Sequence, residues 1–117
     1  FSNELKQVIV NLLKNAKDAI IKDGLILIQT IEKDDIIRII IKDSGGGISI
    51  HTMAHVFEPY FTTKYKSQGT GLGLFMSYEI VNKSLHGTLT VTNETYQYNF
   101  KNFTGACFVI TLNKNKL

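Results

Sequence analysis

Residues 36–41 read Ile-Ile-Arg-Ile-Ile-Ile, and this run constrains the fold more than any other stretch of the chain. β-Branched side chains favour extended backbone, and so unbroken an apolar run suits a strand at the centre of a sheet. It calls for helices packed over one of its faces. A second isoleucine-rich segment, 25–31, precedes it across the polar turn Lys33-Asp34-Asp35, so the pair predicts a β-hairpin.

The covering layer is visible on either side. Over residues 3–22, Leu5, Val8, Ile9, Leu12, Leu13, Ala16, Ala19 and Ile20 recur at helical spacing and mark one buried face. Ser2 or Asn3 caps that helix, and Asp23-Gly24 is expected to end it. A second helix is predicted over 72–85, with Leu74, Phe75, Tyr78, Val81 and Leu85 facing inward and Gly87 as its stop. Two further strands are predicted at 88–92 and 106–112, joined by a long Asn- and aromatic-rich connection over 93–104. The order helix, two strands, long loop, helix, two strands points to an α+β fold. We expect a two-layer α/β sandwich whose mixed, mostly antiparallel sheet is covered by helices on one face.

A chain of 117 residues makes one domain with one core. It opens at Phe1 without a Met and reads as a fragment of something longer. No run of about 18 apolar residues is present, so no membrane span is expected. The net charge of +3 comes almost wholly from lysines dispersed among acids, and Arg38 is the sole arginine. A nucleic-acid surface would cluster its basic groups, so none is expected. Cys107 is alone, which excludes a disulfide framework and suits a cytoplasmic domain.

Three features carry chemistry. Gln7, Asn11 and Asn15 are spaced four apart and stack along one side of the first helix. They are either a solvated edge or a row of amide oxygens aimed at a cation or polar ligand. Asp43 ends the central strand and begins Asp-Ser-Gly-Gly-Gly-Ile. It is either a turn former or a carboxylate that accepts from an exocyclic amine, with Gly45 and Gly47 letting the backbone approach a flat ring. Gly69, Thr70, Gly71 and Gly73 open the second helix, where free N–H groups suit a phosphate chain, although such helix starts also serve packing. No Gly-Lys-Ser/Thr loop and no G-x-G-x-x-G after a strand is present.

The strings NLLKNA (11–16), DSGGGI (43–48), FEPYFTTK (57–64) and GTGLGL (69–74), in this order, resemble the N, G1, F and G2 boxes of the catalytic ATP-binding domain of bacterial sensor histidine kinases. The resemblance covers nearly the whole chain. It implies an ATP-binding α/β sandwich shared with gyrase, the mismatch-repair ATPases and heat-shock chaperones, with ATP and Mg²⁺ as ligands. Carried over, it makes Asn15 the Mg²⁺ ligand and Asn11 its support at the catalytic position. Asp43 takes the adenine amine, beside Gly45, Gly47 and Ile48. Residues 49–70 form a lid anchored by Phe57 and Phe61, and Lys64 approaches the phosphates. Gly69, Thr70, Gly71, Leu72 and Gly73 hold the phosphate chain.

The hydrolysing relatives carry a water-activating Glu one turn before the metal-binding Asn. Asn11 stands there, and an amide is no base, which favours a kinase over an ATPase. The phosphoacceptor His is implied on a separate helical dimerisation domain, with a response regulator as the indirect acceptor. The fragment is then a monomer and the parent, membrane-bound or not, a homodimer. Two departures stand out: Asp18 occupies a place where the family often has Lys, leaving Lys17 or Lys64 to substitute, and Asn113 replaces a frequent Pro. His51, His55 and His86 lack the phosphoacceptor context, and surface or lid roles are expected for them. The alternatives are an ATPase of the wider superfamily and a degenerate nucleotide-binding interaction module.

Overall fold

The computed structural model describes residues 3–61 and 72–117. Helix α1 spans Asn3–Ala19, followed by strands β1 (Ile26–Lys33) and β2 (Ile36–Asp43). A single turn α2 (Ile50–Met53) lies before α3 (Gly73–Glu79), which widens into a π-helical stretch over Ile80–Ser84. Strands β3 (Thr88–Tyr98) and β4 (Lys101–Asn113) complete the sheet.

The strand order is β1-β2-β4-β3, and every pairing among the described residues is antiparallel. The two-layer α+β architecture is as expected. The sheet is simpler than the mixed one anticipated, because each half is a hairpin and the halves meet antiparallel along β2 and β4. The isoleucine run is indeed central. Ile39 and Ile41 point into the core with Phe108, Ile110 and Leu112, under Leu5, Val8 and Leu12 of α1 and Val81 and Leu85 beyond α3. All of these sit on one face of the sheet, as the period-two alternation of a strand requires.

Three local expectations are corrected. The stretch 93–104 is no long loop: β3 and β4 extend through it and close on Asn99-Phe100, both with positive φ (49° and 65°). Two left-handed residues are what a tight hairpin turn needs to match strand twist. The segment's Thr and Tyr side chains pair across the strands, Thr95 with Thr104 and Tyr96 with Phe103. Gly24 does not cap α1, which ends at Ala19, and it is not a left-handed residue. Its bare Cα instead lets the chain pass Ser44, whose Oγ accepts from Leu25 N–H at 2.8 Å. The left-handed residue after the second helix is His86 (φ 53°), while Gly87 lies against the Thr111 carbonyl of β4.

On the opposite sheet face Lys42 and Glu94 form an ion pair at 2.8 Å, and the Lys42 ammonium stands 5.3 Å from the centre of the Tyr96 ring. Cys107 sits beside this pair, 4% exposed. Burial first, then the Glu94 carboxylate, pushes its thiol up to about 11. The thiolate is the reactive form, so native Cys107 is chemically quiet. We expect iodoacetamide at pH 8 to label the folded chain at least about tenfold more slowly than the urea-unfolded chain. Intact-mass spectrometry follows this directly, and equal rates would contradict the burial.

Candidate nucleotide site

The amide stripe of α1 runs from the start of α3 to the first glycine loop. At its upper end Asn11 is half-buried, and its Nδ2 donates to Ser77 Oγ of α3 at 3.3 Å. Ser77 is fully buried. With the nitrogen so engaged, Oδ1 faces the start of α3, where a Cβ on Gly73 would stand 4.0 Å from it. At the lower end Ala19, eight residues on along the same side, touches the first glycine loop. A Cβ on Gly45 would strike the Ala19 side chain and carbonyl, so Gly45 is needed for loop-to-helix contact. Asn15 lies midway, half-buried, with no hydrogen bond from its amide to any described residue. From Asn11 to Ala19 the helix rises about 12 Å.

Asp43 is 2% exposed, and its neighbours specify its orientation. Oδ1 accepts from Gly45 N–H at 2.9 Å and from Ala106 N–H at 3.2 Å. Its main-chain carbonyl accepts from the Tyr96 hydroxyl at 2.9 Å. Burial, and then the Asp43 charge, push the Tyr96 hydroxyl above its ordinary range, so it stays a donor. Gly105 of β4 passes so close that a Cβ there would overlap the Asp43 carbonyl and Oδ1. One oxygen of Asp43 therefore builds the turn, as the turn-forming reading expects.

Beyond Asp43 the chain is left-handed at Gly46 and Gly47 (φ 91° and 92°). Gly46 N–H donates to Thr104 O at 3.0 Å. Ile48 is bracketed by the Asn93 side chain, whose Oδ1 accepts from Ile48 N–H and whose Nδ2 donates to Ile48 O, both at 2.7 Å. Ser49 then caps α2, accepting from Thr52 N–H at 3.2 Å. Phe57 stacks on Tyr78 at 4.9 Å and meets Phe108 edge-on, so it anchors the segment to the core as expected. Phe61 lies instead against His55. His55 pairs with Glu58 and His51, and no group of potential metal ligands occurs around them among the described residues.

Lys64, Gly69, Thr70 and Gly71 lie outside the described residues, and of that segment Leu72 and Gly73 stand at the start of α3. Ser77, Asn93, Tyr96 and Gly105 were not singled out from sequence. Asn93 and Tyr96 belong to the hairpin extension that reads as a loop, Gly105 stands just beyond it in β4, and Ser77 looks like any helical serine. Mg²⁺ is compatible with the donors present. It takes oxygen ligands and keeps several waters, and the α1 edge offers the neutral amides of Asn11 and Asn15, both half-buried. No helix among the described residues is long and apolar enough to cross a membrane.

A family model described as histidine kinase-, DNA gyrase B- and HSP90-like ATPase matches residues 2–116. The two-component sensor PprA of Pseudomonas aeruginosa is 34% identical over 118 residues, covering 95% of this chain and 12% of that protein. The signal transduction histidine-protein kinase AtoS of Escherichia coli K12 is 47% identical over 79 residues, covering 67% of this chain and 13% of that protein. Among solved structures, the catalytic domain of histidine kinase ThkA superposes with a TM-score of 0.76 at 30% identity, covering 95% of this chain and 66% of that one. The mycobacterial sensor histidine kinase MprB gives 0.77 at 25% identity, over 97% of this chain and 72% of that one. The chain thus spans about an eighth of the length of these curated relatives.

Proposed function

Since the chain belongs to the family of histidine kinase-, DNA gyrase B- and HSP90-like ATPases, we infer that it is the ATP-binding catalytic domain of a sensor histidine kinase. The observation that carries this reading is the placement of the amide stripe, with Asn11 against α3 and Ala19 against the Asp43 loop. A ligand with a polar flat ring at one end and anionic groups at the other fits along that edge.

Asp43 binds the adenine end. Its Oδ1 is committed to two backbone donors, which leaves Oδ2 to accept from the exocyclic amine. Gly47 and Ile48 line the approach. Asn15, assisted by Asn11, holds Mg²⁺, which neutralises phosphate charge when bound. Leu72 and Gly73, with Lys64, Gly69, Thr70 and Gly71, take the triphosphate. The acceptor of the γ-phosphoryl is a His on a separate helical dimerisation domain of the same protein, itself the donor to a response regulator. Phosphoryl transfer asks mainly for positioning and charge stabilisation, so the absence of a base at Asn11 does not impede it. It does slow transfer to water, which needs an oriented and activated nucleophile.

The test is to mix the chain with its cognate helical domain and γ-labelled ATP. Label should appear on the helical domain's His and depend on Mg²⁺. Asn15→Ala should cut both transfer and the Mg²⁺-dependent part of ATP affinity by about tenfold or more, since it removes a metal ligand. Multiple-turnover phosphate release by the isolated chain, with no label on the helical domain, would overturn the kinase reading in favour of an ATPase.

A further inference from the structure

Resting on the nucleotide reading above, we propose that Asn93 is a positioning residue for the adenine end of the site. Its side chain clamps the Ile48 peptide and thereby holds the loop 45–48 and the root of α2 against the sheet.

The clamp is two-sided. Asn93 Oδ1 and Nδ2 engage the N–H and the C=O of one residue, each at 2.7 Å, as a neighbouring strand would. An amide is suited to this, because it offers one acceptor and a donor pair side by side. Asn93 is exposed, so these bonds do not arise from any need to satisfy a buried group. They also explain Gly47 independently of its φ of 92°, since a Cβ there would stand 2.9 Å from Asn93 Oδ1.

What the clamp controls follows from its neighbours. Upstream, the loop is tied to β4 by Gly46 N–H to Thr104 O at 3.0 Å and to the end of β2 by Gly45 N–H to Asp43 Oδ1 at 2.9 Å. Downstream, Ser49 begins α2 immediately after the clamped residue. Asp43 is anchored separately by Gly45, Ala106 and Tyr96. Losing Asn93 therefore leaves the adenine acceptor in place and frees the wall beside it. A ligand must then order the loop at its own expense, which weakens binding without unfolding the domain.

The experiment uses the 117-residue chain with Asn93→Ala and Asn93→Asp. Amide hydrogen exchange at Ile48, read by NMR without ligand, should accelerate in Asn93→Ala. Asn93→Asp keeps an acceptor for that N–H but loses the donor, so it should be intermediate. Calorimetry should show ATP-analogue affinity falling about tenfold in Asn93→Ala, with thermal midpoint nearly unchanged. Preference for ATP over GTP should narrow, which a general loss of fold would not cause selectively. Unchanged Ile48 exchange in Asn93→Ala, or lost protection with unchanged affinity and base preference, overturns the proposal. If Asn93→Ala does not fold, Asn93→Asp decides by the same readings. A wild-type chain that binds no adenine nucleotide would instead sink the proposed function, and the adenine role of the clamp with it. The exchange readings would still show whether the clamp exists.

Discussion

Gly105→Ala is expected to cost roughly 3 kcal/mol or more of stability, a fall of about 10 °C in thermal midpoint for a domain of this size. The added Cβ lands on the Asp43 carbonyl and on Oδ1. Neither can yield cheaply. The carbonyl already accepts the Tyr96 hydroxyl, and Oδ1 holds two backbone N–H groups. Pushing β4 away instead breaks the ladder that joins it to β3 at Glu94. Nucleotide binding should fail in the same variant, because relief of the clash requires moving the adenine acceptor. Gly46→Ala is the useful contrast. No atom lies within 4 Å of its Cβ position, so only its φ of 91° opposes the change, at about 1–2 kcal/mol. Thermal unfolding of the two variants side by side checks the argument; a Gly105→Ala protein as stable as wild type would refute the described packing.

Asp43→Asn is expected to abolish adenine-nucleotide binding, by about a hundredfold or more, while costing only about 1 kcal/mol of stability. Its amide oxygen can still accept from Gly45 and Ala106 N–H. The amide nitrogen then faces the exocyclic amine, donor against donor, and a buried donor without an acceptor is costly. Asp43→Ala should lose binding equally, but with about 2–4 kcal/mol of stability, because it leaves those two N–H groups without an acceptor. Calorimetric titration with an ATP analogue and thermal unfolding together separate the two roles of one carboxylate. If Asp43→Asn bound as tightly as wild type, the amine would have to be recognised elsewhere.

The structure also shows why some of the site was legible and some was not. The carboxylate, the amide stripe and the glycine segments each sit in a local pattern: a strand end, a four-residue spacing, a break in periodicity. Those patterns are produced by neighbours in the chain, so they can be read in order. Tyr96, Gly105 and Asn93 act on residues between 45 and 62 positions away, through the Asp43 carbonyl, the Asp43 side chain and the Ile48 peptide. Nothing local marks them. The polar, asparagine-rich look of 93–104 suggested a loop, whereas cross-strand pairing with Thr, Tyr and Phe partners made it sheet.

Periodicity and composition alone determined the two-layer arrangement, the central place of the isoleucine strand and the face that α1 buries. These follow from how side chains alternate along a strand or wind around a helix, and no partner need be known to see it. Only the tertiary structure decided which oxygen of Asp43 is committed, which way the Asn11 amide is turned and what holds Ile48. Hydrogen bonds between distant segments settle those orientations, and their direction depends on atoms that the fold, not the chain order, brings within 3 Å.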